Sequence, residues 1–91
     1  MKHFAEELKV SLAEGMMWNI AKKKISRLKI GGKRAADLIG YDDEGDEWVD
    51  LEFPAWAADD VVKFFKKDDD LMFGSVKKSG DMAILRVGYD V

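Results

Sequence analysis

The alternation in residues 47–53 constrains this chain more than any other feature. Val49, Leu51 and Phe53 alternate with Trp48, Asp50 and Glu52, and the only proline, Pro54, follows at once. A period of two is the strand period, so one row faces a core and the other, Trp48, Asp50 and Glu52, faces away from it. Asp37–Tyr41 reads as the partner strand of a hairpin. The polar loop Asp42-Asp43-Glu44-Gly45-Asp46 joins the two, and Gly45 supplies the backbone freedom a tight reversal needs.

After Pro54 the period changes. Proline commonly stands near the first turn of a helix, and Ala57, Val61, Phe64 and Phe65 then fall on one helical stripe. Asp59 and Asp60 come early and Lys63, Lys66 and Lys67 late, both favourable to the helix dipole. Asp68-Asp69-Asp70 opposes that dipole and marks the exit. A second hairpin is expected from Leu71–Lys77 and Met82–Tyr89 around Lys78-Ser79-Gly80-Asp81, with Ala83, Leu85, Val87 and Tyr89 on one face.

Upstream of the first hairpin, Phe4, Leu8 and Leu12 are spaced by four and predict a helix over 3–13. Trp18, Ala21, Ile25 and Leu28 predict a second over 16–29. A strand over Ser26–Ile30, ending at Gly31-Gly32, is the competing reading. The expected fold class is therefore α+β. An antiparallel sheet of two hairpins, about four strands, packs with N-terminal helices and one central helix on one side. The 91 residues suffice for one domain, 1–91, with one modest core.

Composition excludes several functions. No run of about 18 apolar residues is present, so no membrane span is expected. The start, Met1-Lys2-His3-Phe4-Ala5-Glu6-Glu7, places acids where a secretory signal would be apolar. The chain has no cysteine, which fits a cytoplasmic location and removes thiolate metal sites. With no Thr or Gln, one Asn and one His, it carries little for catalysis, and His3 is the only imidazole. Gly31-Gly32-Lys33-Arg34 fails as a phosphate loop, because Arg27 stands where the first glycine belongs and Arg34 replaces Ser or Thr. A tight turn is its expected role. A calcium loop starting at Asp42 would need Gly at the position of Glu47 and Glu at that of Phe53. The expectation is a non-enzymatic protein with neither cofactor nor metal.

What remains is charge. The formal total of −3 hides a block of +7 over residues 22–34 followed by one of −10 over residues 35–62. Charge runs are most often solvated faces. The leading expectation is that the acidic hairpin, Asp42, Asp43, Glu44, Asp46, Asp50 and Glu52 with Trp48 as apolar anchor, docks on a partner protein with a basic surface. The protein would then act as a regulator or inhibitor. The alternative is nucleic-acid binding by Lys22, Lys23, Lys24, Arg27, Lys29 and Arg34, with Trp18 stacking on a base. Lys22, Lys23 and Lys24 span about 200° of a helix, which is broad for one groove contact. A homodimer is a third expectation, because Met16, Met17, Trp18, Trp56 and Phe73 exceed the apolar surface a small core hides.

Overall fold

The computed structural model of the chain describes residues 16–89 and 91, and the helix expected over 3–13 lies outside them. In chain order the elements are α1 (Met16–Ile25), β1 (Lys29–Ile30), β2 (Lys33–Arg34), α2 (Ala35–Leu38), β3 (Gly40–Glu44), β4 (Trp48–Pro54), a 3-10 turn (Ala55–Ala57), α3 (Ala58–Lys66), β5 (Met72–Phe73), β6 (Lys77–Ser79) and β7 (Met82–Gly88). The fold class is α+β, as expected. The main sheet runs β3-β4-β7-β5, β6 also pairs with β7, and every pairing is antiparallel.

The centre of that sheet follows directly from the two alternating segments. β4 and β7 pair along their whole length, from Trp48 opposite Gly88 to Pro54 opposite Met82. Val49, Leu51 and Phe53 meet Val87, Leu85 and Ala83 on one face, and all six are fully buried. Met17, Ala21 and Ile25 of α1 and Val61 and Phe65 of α3 close over them in a single cluster. The helices thus cover one side of the sheet. Trp48, Asp50, Glu52, Ile84 and Arg86 occupy the other.

Four boundaries differ from the expected ones, each for a local reason. Helix α1 stops at Ile25 instead of Lys29, and the competing strand is realised in its last two residues. Gly31 and Gly32 adopt φ of 60° and 81°, the pair of positive angles that a two-residue hairpin requires. That turn folds Lys29-Ile30 back on Lys33-Arg34 and buries Ile30. Asp37 belongs to the short helix α2, so the first strand of the hairpin starts at Gly40 and takes in Asp42, Asp43 and Glu44. Only residues 45–47 remain as the loop. Pro54 ends β4 in extended conformation, and the helical segment begins one residue later.

The second hairpin also changes at its first arm. It divides into β5 and β6, both paired with β7, giving five strands in the main sheet where about four were expected. Beyond Gly88 the ladder ends in one contact, the Tyr89 N–H donating to Glu47 O at 2.7 Å. Tyr89 therefore leaves the buried row and is 45% exposed.

At Gly88 the two central strands leave no space for a side chain. A Cβ there would run into the Glu47 carbonyl oxygen and lie 2.6 Å from Trp48 Cα, both rigid backbone. Gly88→Ala should lower the free energy of unfolding in urea by about 1–3 kcal/mol. Gly40 has nothing within 4 Å of such a Cβ. Gly40→Ala should stay within about 0.5 kcal/mol of the parent.

Candidate functional site

The strand parity that buries Val49 and Leu51 turns Asp50 outward, directly opposite Arg86 on β7 and Asp43 on β3. The Arg86 guanidinium answers with two hydrogen bonds, Nε to Asp50 Oδ1 at 2.7 Å and Nη2 to Oδ2 at 3.1 Å. The same group lies 3.7 Å above the centre of the Trp48 ring. Gly45 also lies against the indole, leaving no room for a Cβ. Trp48 thus packs on both a glycine and an arginine. Its hydrogen bonds to Asp50 raise the Arg86 pKa above its usual value against some desolvation, with the charges of Asp50 and Asp43 adding attraction. A cleft of about 320 Å³ opens alongside, lined by Asp50, Gly74, Ser75, Lys77, Ile84, Arg86 and Val91.

This geometry divides the expected acidic docking set. Asp50 is satisfied by Arg86 and only 15% of its side chain is exposed. Trp48 is half-buried, which corrects its role from free anchor to part of the sheet face. Glu52 is half-buried on the same face. Glu44 is corrected as well: it pairs with Val49, on the core side of the sheet, and its Oε2 is shut off from solvent without a hydrogen-bond partner. A shift in register between Tyr41 and Asp43 places Asp42 out of pairing. Asp42, Asp43 and Asp46 are exposed, and Glu47 joins them at the hairpin tip. None of these four forms a salt bridge among the described residues.

The basic set divides in the same way. Lys24 turns to the far end of α3, where its Nζ lies 2.8 Å from Asp68 Oδ2 and 3.0 Å from Asp70 Oδ2. Arg34 meets Asp37 at 3.2 Å on the surface. Lys22, Lys23, Arg27 and Lys29 are exposed and make no salt bridge to a described residue. Trp18 is half-buried, with its ring centre 4.9 Å from that of Tyr41. It takes part in the packing of α1 on β3.

Of the residues expected to exceed the core, Met17 is fully buried and Phe73 half-buried, while Trp56 is 59% exposed. Trp56 packs its ring edge against the Gly31 turn, where a Cβ would lie 3.3 Å away. Beside it, Leu28, Lys29, Asp60, Lys63, Phe64 and Lys67 line a cleft of about 270 Å³. Sequence reasoning named Lys29 but missed Arg86, Lys63 and Lys67 as site residues. Arg86 stands outside both charge blocks, and only the β4–β7 register places it over Trp48. Lys63 and Lys67 read as favourable helix-end charges, which gave no sign that β1 would lie beside them.

Among the described residues no helix is long and apolar enough to cross a membrane, and no group of three His, Cys, Asp or Glu side chains is placed to hold a metal ion. No protein-family model, curated protein or solved structure matches the chain.

The Lys24 clamp has a definite pH signature. Burial works against the Asp68 carboxylate, but hydrogen bonds from Lys24 and from the Asp70 and Leu71 N–H groups outweigh it and hold its pKa below 3.8. The hydrogen bond to Asp68 likewise lifts Lys24 above 10.5, against the opposing effect of burial. A lowered acid stabilises above its unfolded pKa and loses that contribution as pH falls through the folded value, whereas a raised base loses it at high pH. Urea unfolding of Asp68→Asn at neutral pH should show lower stability than the parent, and the gap should close as the pH falls through the lowered folded-state pKa of Asp68. For the sheet face, acrylamide quenching reports directly on Trp48 in a chain carrying Trp18→Phe and Trp56→Phe. Adding Arg86→Ala should raise the quenching and move the emission to longer wavelength, and Arg86→Lys should restore neither fully, because lysine lacks the planar fork.

Proposed function

We propose that this protein is a non-enzymatic binding protein, a small regulator or inhibitor that docks its acidic hairpin on a basic surface of a partner protein. The observation that carries this reading is the state of the hairpin tip. Asp42, Asp43, Asp46 and Glu47 stand exposed with no salt bridge to a described residue, while Asp50 beside them is held by Arg86. Among the described residues β3 pairs only with β4, so these charges flank an edge of the sheet as described. A concentrated patch of one sign accelerates encounter with the opposite sign and penalises acidic partners. The clamped Trp48 and Asp50 keep the hairpin's shape fixed, which lowers the ordering cost of docking. A partner's basic surface that normally takes phosphates would be blocked by such a patch. The cytoplasm is the proposed compartment, on the absence of cysteine.

A second reading, nucleic-acid binding through segment 22–34, is favoured by one observation. Lys22, Lys23, Arg27 and Lys29 stay exposed without a salt bridge to a described residue.

The hairpin reading is tested with a fluorescent lysine- and arginine-rich peptide as probe and by capture of partners from lysate. Changing Asp42, Asp43, Asp46 and Glu47 to Lys should weaken peptide binding at least about tenfold at low salt and release the captured partner. The parent's own affinity should fall as salt is added. Undiminished binding by the reversed chain overturns the proposal.

A further inference from the structure

We infer that the face shared by α3 and the β1–β2 hairpin is a binding strip for single-stranded nucleic acid, with Trp56 as the stacking platform and Lys29, Lys63 and Lys67 as phosphate contacts. The inference keeps the nucleic-acid reading of the basic segment only through Lys29 and stands apart from the acidic hairpin.

The placement follows from helix geometry. At about 100° per residue, Asp60, Lys63, Phe64 and Lys67 fall within an arc of roughly 100°, and Trp56 precedes them in the 3-10 turn. The hairpin lies beside this arc, with Gly31 against Trp56 at one end and Leu28 and Lys29 in the cleft with Lys63, Phe64 and Lys67 at the other. From Asp60 to Lys67 the strip follows about 10 Å of helical rise, and Trp56 extends it at the N-terminal end from the 3-10 turn. That length suits two or three nucleotides.

Chemistry selects the occupant. Three ammonium groups line the cleft against one carboxylate, Asp60, so the strip attracts a chain of negative charges. A carboxylate chain would satisfy the lysines and leave Trp56 unused. Trp56 is 59% exposed with its ring edge beside the Gly31 turn, so a flat apolar surface is presented to solvent. A base stacks on such a ring whatever its identity, and aromatic platforms interleaved with cations are how proteins hold single strands without sequence preference. Phe64, half-buried in the floor of the cleft, offers a second apolar contact. Asp60 would repel a phosphate but can accept hydrogen bonds from exocyclic amino groups, which orients bases toward it and the backbone toward the lysines. Paired bases in a duplex have their faces covered, so single strands are favoured.

The test uses the whole chain and a fluorescein-labelled single-stranded oligonucleotide of mixed sequence, with anisotropy read across a salt series. Binding is expected at low salt, and log K should fall against log salt with a slope of about −2, as for three phosphate contacts on a single strand. Trp56→Ala should cost roughly tenfold in affinity, Trp56→Phe less, and Lys63→Gln with Lys67→Gln a comparable loss together with a shallower salt slope. Circular dichroism confirms that each variant is folded, and the lysine pair serves where removal of the indole disturbs the Gly31 turn. Lys22→Gln with Lys23→Gln should leave affinity within about twofold, which separates this strip from a contact by the α1 lysines. The chain with Asp42, Asp43, Asp46 and Glu47 changed to Lys should retain oligonucleotide binding, so loss of its protein partner and loss of this site read out independently. No binding at low salt, unchanged affinity in both Trp56→Ala and the Lys63/Lys67 variant, or polyglutamate or duplex held as tightly as the single strand would each overturn the inference.

Discussion

The pairing of β4 with β7 is the contact on which the rest of the molecule depends. Seven consecutive residues of one strand meet seven of the other, and the shared register decides which side chains are buried and which charges meet. On one face it makes the apolar layer of Val49, Leu51, Phe53, Ala83, Leu85 and Val87 against which α1 and α3 bury their stripes. On the other it sets Arg86 opposite Asp50. A slip of one residue would turn both faces over at once. Gly88 secures the register at its end, because any side chain there would strike the β4 backbone.

Half of this was legible in the chain. The alternation through Val49, Leu51 and Phe53, the stripe of α3 and the reversal at Gly31-Gly32 are local patterns, and a local pattern carries its own period. The end of α1 at Ile25 was not legible from Leu28, whose spacing continues the helix. The Gly31-Gly32 turn supplied a competing demand, since antiparallel pairing of Lys29-Ile30 with Lys33-Arg34 satisfies the backbone and buries Ile30. The division of the second hairpin arm into β5 and β6 also escaped the pattern, because Met72 and Phe73 pair near the end of β7 and residues 77–79 near its start.

The candidate sites were legible as types of residue and not as sets. Each charge block contains residues that the fold satisfies and residues that it leaves in water. The satisfying partner in the two half-buried pairs comes from far along the chain: Arg86 for Asp50, and Asp68 and Asp70 for Lys24. The three tryptophans divide by the same logic. Trp18 and Trp48 have the sequence context of exposed anchors, yet Tyr41 and Arg86 cover them, whereas Trp56 read as a surplus hydrophobe and stands free beside a turn of glycines. Long-range register decides such outcomes, and period alone does not record it.

The total charge of −3 is consequently the wrong quantity for asking what this protein attracts. On their shared face of the sheet, α1 packs on β3 and β4, while α3 packs toward β5, at the opposite edge. Between β3 and β5 lie three strand spacings, about 14 Å at 4.8 Å each, and the Debye length at physiological salt is about 8 Å. A charge approaching the β5 edge is thus screened from one held at the β3 edge. The fold separates by width what the chain places side by side. An acidic protein can for that reason carry a cationic strip, provided that the carboxylate nearest to it, Asp60, faces the bases and not the backbone of what it binds.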